Sequence, residues 1–291
     1  MNMNKQQIKK MILSLSLLLA LIPGVMAETM VEPIKMGIFP RRNPLVTTRM
    51  FSPLVQYLKV KLGREVVLDT PKDFETFWNK VKNNEYDIVH YNQYHYVKSH
   101  KEFGYRVVAK NIEFNQATIA GAIIVRKDAN INSVTDLKGR KIVFGGGPRA
   151  MQSYIVAKYL LQINGLHDGE YQESFSTNPP NAIMSTYFKQ SDAAGAGDKV
   201  LKLKIVESQI DVNEMKYLVK GDQLSHLPWA VSGKLDVGMT KKLSEILLGM
   251  DKNGEGKAIL SKMHMNGFAP AEDEDYDPHR MIIETVLQEK Y

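Results

Sequence analysis

The chain has 291 residues, 44% of them hydrophobic and 24% charged, with a formal charge of +6 and no cysteine. The missing cysteines exclude disulfides, thiolate metal sites and lipidation at a leader's cleavage site. Basic residues are interspersed with acids and form no block of the kind that marks a nucleic-acid footprint, so no nucleic-acid partner is expected.

The first feature in chain order is a leader. Lys5, Lys9 and Lys10 precede an apolar run over 11–22, followed by Pro23-Gly24 and Val25-Met26-Ala27. Basic, apolar and small-residue regions in that order predict a signal peptide over 1–27, cleaved after Ala27. The run is short for a membrane span, and nothing after it is apolar enough for one. A soluble periplasmic protein beginning at Glu28 is expected.

A strand is predicted over 34–39, then a loop through Arg41 and Arg42, then a helix with Val46, Met50, Leu54, Leu58 and Leu62 on one face. A second strand over 65–68, a helix marked by Phe74, Phe77, Trp78 and Val81, and a third strand over 86–90 follow. Strands over 105–109 and 118–126 and a short helix over 133–138 lead to the stretch KIVFGGGPRAMQSY, residues 141–154. This reads as strand, glycine turn and helix, with Pro148 suited to the first helical position and Ala150, Tyr154, Ala157 and Leu161 on the apolar face. A helix over 178–189, strands over 192–196, 216–219 and 229–232, and closing helices complete the chain. The alternation predicts an α/β fold with mainly parallel sheets, divided into two lobes.

Ligands of open α/β sheets bind beyond the carboxyl ends of strands. Three such ends stand out: Phe39-Pro-Arg-Arg, Tyr91-Asn-Gln-Tyr and the glycine turn. A glycine turn opening a helix offers free N–H groups and the positive end of the helix dipole, an anion site. No Gly-Lys-Ser/Thr follows, so a Walker A loop is excluded. Gly145, Gly147 and Ala150 meet the dinucleotide pattern formally, but midway along an exported chain; a plain connecting turn is the other reading. No cofactor is predicted. Arg41 and Arg42 fit a solvated pair or an anion contact equally. His90, His95 and His100 are five residues apart and point in different directions on helix or strand, so no metal site is expected and surface or loop positions are. His279 is assigned a structural role, and the fifteen scattered methionines are read as filling. No H-E-x-x-H, G-x-S-x-G or cysteine nucleophile is present, which favours a binder over a hydrolase, with no catalytic residue.

The segments Met36-Gly-Ile-Phe-Pro40, Leu62-Gly63, YDIVHY (86–91), AIIVRKD (122–128), DLKGRKIVF (136–144), Asn181-Ala182 and QSDAA (190–194) recur in one order and spacing. Together they resemble the periplasmic phosphate/phosphite/phosphonate-binding family, the solute-binding proteins of ABC importers. The resemblance implies a type II-like two-lobed periplasmic binding protein, with sheets flanked by helices and the ligand cleft between lobes. Lobe 1 would comprise 28–118 and 210–291, and lobe 2 the continuous insert 119–209, with crossings near 116–121 and 205–213. It implies a small anionic solute, a monomeric protein and an ABC permease in the inner membrane. A membrane sensor kinase is the alternative partner, and phosphate-ester hydrolysis a more distant reading.

The resemblance also implies a site. Tyr91 matches the family's tyrosine past the third strand, and Gly147, Arg149, Ala150, Met151, Gln152 and Ser153 match its anion cradle. The family's Ser-Thr-Ser-like hydroxyls are replaced here by Ala150, Met151 and Gln152. Asp198 matches the acidic residue that faces an amino group on aminophosphonates, and Asn178 stands where histidine is common. A larger or less highly charged anion, held partly by Met151 and Phe39, is expected.

Overall fold

The computed structural model describes residues 32–291; the expected leader over 1–27 lies outside them. β1 (Ile34–Ile38) leads into α1 (Pro44–Leu62), whose first turn is capped by the Asn43 side chain accepting from the Val46 N–H. α1 buries Met50, Leu54, Leu58 and Leu62 together with Phe51 and Val55. That rotates the buried stripe away from Val46, which stays exposed. β2 (Val66–Asp69), α2 (Phe74–Lys82) and β3 (Ile88–His90) follow. Next comes α3 (Gln93–Phe103), where the sequence suggested a loop. Its buried face is made of Tyr94, His95, Tyr96 and Ser99, polar-tipped residues that hydropathy does not register. His90 and His95 are therefore buried, contrary to the surface positions expected.

β4 (Arg106–Ile112) and the short β5 (Thr118–Ile119) lead out to β6 (Gly121–Arg126), β7 (Lys141–Gly145), β8 (Gln172–Ser176), β9 (Ala193–Gly197) and β10 (Met215–Lys220). β11 (Leu224–Ser225), β12 (Pro228–Val231) and β13 (Gly267–Ala269) return. The first sheet has the order β13-β4-β12-β3-β1-β2, with β2, β1 and β3 parallel; the second is β10-β6-β9-β7-β8. β5 and β11 pair antiparallel with each other, Ile119 opposite Leu224.

The return crossing thus runs at β11 and not at 205–213. β10 pairs with β6 from Met215 opposite Arg126 to Lys220 opposite Ala122, which keeps it in the second sheet. Residues of the expected crossing instead pack Val206 and Ile210 into the second lobe's core with Ala122, Ile124, Ile183 and Ala194.

α4 begins as a π-helical stretch (Met151–Val156) and continues as α-helix (Ala157–Ile163). α5 (Pro179–Tyr187) covers the other face of the second sheet, and α6 (Val237–Leu248), α7 (Gly254–Lys262) and α8 (Asp277–Leu287) close the chain. One apolar cluster runs from Phe77, Tyr91 and Val97 through Tyr276 and Ile283 to Ile155 and Leu161, so the two lobes share buried surface. No helix among the described residues is long and apolar enough to cross a membrane.

Candidate ligand-binding site

The glycine turn leaves β7 through Gly146 and Gly147, with φ of +94° and +87°. Both angles lie in the left-handed region that glycine adopts without strain. The helix starts at Met151, three residues later than Pro148 suggested. The Ala150 carbonyl accepts from both the Tyr154 and Ile155 N–H groups, and this shared acceptor widens the first turn to π geometry. The N–H groups of Met151, Gln152 and Ser153 belong to that first turn and have no acceptor within the helix. They carry its positive end. A Cβ on Gly195 would overlap the Ser153 carbonyl and the Phe144 ring, so glycine there lets the turn lie directly on β9.

The side chains divide sharply. Ser153 donates its hydroxyl to the Gly145 carbonyl, which fastens helix to strand. Gln152 is 8% exposed, and neither its amide nitrogen nor its oxygen has a partner. Met151 is buried beside it. Asn178 caps α5 by accepting from the Asn181 N–H at 3.0 Å. Its role is to shape the neighbouring helix.

Asp198 is also engaged. Its carboxylate accepts from the Ala120 N–H at 3.2 Å, from Gln223 at 2.9 Å and from Lys199 at 3.0 Å. Ala120 and Gln223 flank the two crossings, so Asp198 ties them together with both of its oxygens already accepting.

From the first lobe, Asn92 caps α3 and donates through Nδ2 to the Arg149 carbonyl at 3.0 Å. The Arg149 guanidinium lies over the Tyr94 ring and pairs with Glu289 at 3.1 Å. Glu289 also accepts from the hydroxyls of Tyr94 at 2.6 Å and Tyr291 at 2.7 Å. Burial opposes its charge, yet these hydroxyls and Arg149 hold its carboxyl below the usual range. Phe74 stacks on His95 at 5.1 Å and meets Phe39 at 6.2 Å, giving the first lobe an aromatic wall.

Tyr91 is not on that wall. It is fully buried against Phe77, Tyr96 and Tyr105, in the core between the first sheet and its helices. Its phenol, pushed well above its ordinary pKa by burial, is directed into protein. In this structure the hydroxyl expected to reach across to a ligand is therefore enclosed, and it has no hydrogen-bond partner.

A second polar cluster forms where β1 and β3 end. Arg41 pairs with Glu113 at 3.3 Å, and Glu113 also accepts from Asn111 at 2.9 Å and faces His226 at 4.0 Å. Sequence reading weighed the arginines and, separately, His90, but not Glu113 or His226, which join them from distant segments. Among the described residues no group of three or more His, Asp or Glu is placed to hold a metal ion.

These features define a two-lobed α/β protein in which the N-terminus of α4 meets the first lobe through Asn92 and Arg149. The chain belongs to the family described as ABC transporter, phosphonate, periplasmic substrate-binding protein, which matches residues 36–276. Its role is that family's: the substrate-binding component of an ABC transporter. The phosphonates-binding periplasmic protein of Escherichia coli K12 is 21% identical over 261 residues, spanning 88% of this chain and 77% of that one. PhnD1 from Prochlorococcus marinus in complex with methylphosphonate superposes with a TM-score of 0.77 at 18% identity, over 88% of this chain and 98% of the other. XAC2383 from Xanthomonas citri bound to ATP gives 0.76 at 12% identity, over 89% and 98%. Family members are periplasmic substrate-binding proteins for transport.

Proposed function

We propose that this chain, exported and cleaved after Ala27, binds a phosphonate-like organic oxyanion without turnover and passes it, as a monomer, to an inner-membrane permease. The oxyanion rests on the N–H groups of Met151, Gln152 and Ser153, with the Gln152 amide as side-chain donor. Met151, Phe39 and Phe74 contact its organic part. The lobes part about the β5–β11 ribbon to admit it. Gln152 carries this reading: a buried amide without partners costs about 1–3 kcal/mol, and an oxyanion beside it relieves that cost.

Since Asp198 is already occupied, an amino group on the ligand gains nothing there. Alkylphosphonates are therefore expected to bind more tightly than 2-aminoethylphosphonate. Calorimetric titration with phosphate, phosphite, methylphosphonate, 2-aminoethylphosphonate and alkylsulfonates tests the reading. Tightest binding by 2-aminoethylphosphonate would overturn the ligand assignment. Binding by cations or neutral solutes alone would overturn the site.

A further inference from the structure

We propose that the first lobe carries a second anion site, distinct from the glycine turn, in the pocket between β1, β3 and the N-terminus of α1. Its ligand is a small tetrahedral oxyanion. The site shares Phe39 with the substrate reading above but does not depend on it. Ile38, Phe39, Phe51 and His90 form the walls, with Arg41 and Arg42 at the mouth and Thr47 on the helix side. The empty volume is about 200 Å³, continuous with solvent at the mouth.

Charge makes the first argument. Arg41 is neutralised by Glu113, whereas no hydrogen bond or ion pair among the described residues engages the Arg42 guanidinium. Burial and the like charge of Arg41 push Arg42 down to about 10, and the attraction of Glu113 offsets this only in part. The buried histidines do not add to the balance. Burial lowers His90 to about 3 and His226 to about 4, so both are neutral. The cluster of Arg41, Arg42, Glu113, His90 and His226 is therefore left with one uncompensated positive charge.

His90 supplies an independent observation. It is 4% exposed, lines the pocket, and neither ring nitrogen has a partner. Its ring is fixed by stacking on Trp229 at 4.5 Å and by the edges of Phe39 and Phe51. A rigid imidazole with an unused N–H and a guanidinium without a hydrogen-bonding partner line one recess. That donor set suits an oxyanion, and the aromatic walls exclude a strongly hydrated cation.

Trp229 reports on occupancy. An anion seated on the His90 N–H places a negative charge beside the indole stacked on that ring at 4.5 Å and quenches its emission. Trp78→Phe leaves Trp229 as the sole tryptophan. Inorganic phosphate titrated into this variant at constant ionic strength should quench its emission saturably. Adding Arg42→Gln should weaken the apparent affinity about tenfold or more, and adding Gln152→Ala should leave it unchanged. Arg42→Lys, which keeps the charge and loses the fork, should fall between and serves if Arg42→Gln does not fold. No saturable signal, an unchanged affinity in both Arg42 variants, or loss of the signal in Gln152→Ala would each overturn the proposal. The last result would place the anion at the glycine turn.

Discussion

Asn92 of the first lobe and Arg149 of the second are joined by one hydrogen bond whose direction is fixed. Asn92 Oδ1 accepts from the His95 N–H at 2.9 Å and faces His95 Nδ1 at 2.8 Å, so Nδ2 must turn toward the Arg149 carbonyl. The bond sits two residues before the first free N–H of the cradle and must break for the lobes to part.

Asn92→Asp separates the two duties of this side chain. Aspartate caps helices as well as asparagine does, but it sets an acceptor against the Arg149 carbonyl. The variant should keep its thermal stability within a few degrees and show a larger radius of gyration without ligand in solution scattering. Ligand affinity should fall about fivefold, the equivalent of about 1 kcal/mol. An unchanged scattering curve would remove this contact from the closure mechanism.

Gln152→Met exchanges the unpaired buried amide for an apolar side chain of similar size. Stability without ligand should rise by about 1 kcal/mol in urea unfolding, because the desolvation cost disappears. Oxyanion affinity should fall at least tenfold. A gain in one quantity and a loss in the other is the signature of a residue held for binding; a loss in both would mark it as structural.

Gly195→Ala should push the start of α4 off β9, since the added carbon overlaps the Ser153 carbonyl and Phe144. Backbone cannot yield as a flexible side-chain tip does. A destabilisation of about 1–3 kcal/mol is expected, with ligand affinity reduced because Met151 to Ser153 move together. A fully stable variant with normal binding would show that the turn is looser than it looks.

Acid should destabilise the protein well above the carboxylate range. Burial lowers His90, His95 and His279 to about 3 and His226 to about 4, against an ordinary value of 6.5. Below pH 6.5 the unfolded chain binds protons at these positions while the native chain does not. Stability is therefore fully present above about pH 6.5 and declines as pH falls toward 4. At pH 5 unfolding should take up about four protons from this group, read as the slope of stability against pH. His279→Leu should reduce that slope by about one proton, since the ring is fully buried without partners.

The strands and helices that carry regular hydropathy were legible, and so was the glycine turn as a helix-opening cradle. Tyr91 shows where legibility stops. Its place past a strand end was plain, but the face it takes follows from strand parity: Val89 and Tyr91 point to the α2–α3 side, while His90 meets Phe51 of α1. α3 escaped notice because its buried residues are tyrosines, a histidine and a serine. β10 looked like the start of the return and is held in the second sheet by pairing that no local pattern encodes. The Arg149–Glu289 contact and the cluster of Arg41, Glu113 and His226 join residues far apart in sequence, which periodicity cannot bring together.

The widened first turn of α4 has a consequence for counting. A π-helical turn is an α-helix carrying one additional residue, so positions before and after Met151–Val156 are out of step by one relative to a regular helix. A relative with a plain α-helix here keeps its packing face by being one residue shorter. Matching residues from Gly145 forward and from Leu161 backward then assigns different partners to Gln152. Deleting a single residue from this stretch should therefore convert it to regular helix without disturbing Ala157 to Leu161, while swinging the cradle's side chains by about 100°. The stretch gives this chain a cheap genetic route, one codon gained or lost, to exchange the residue that meets the solute.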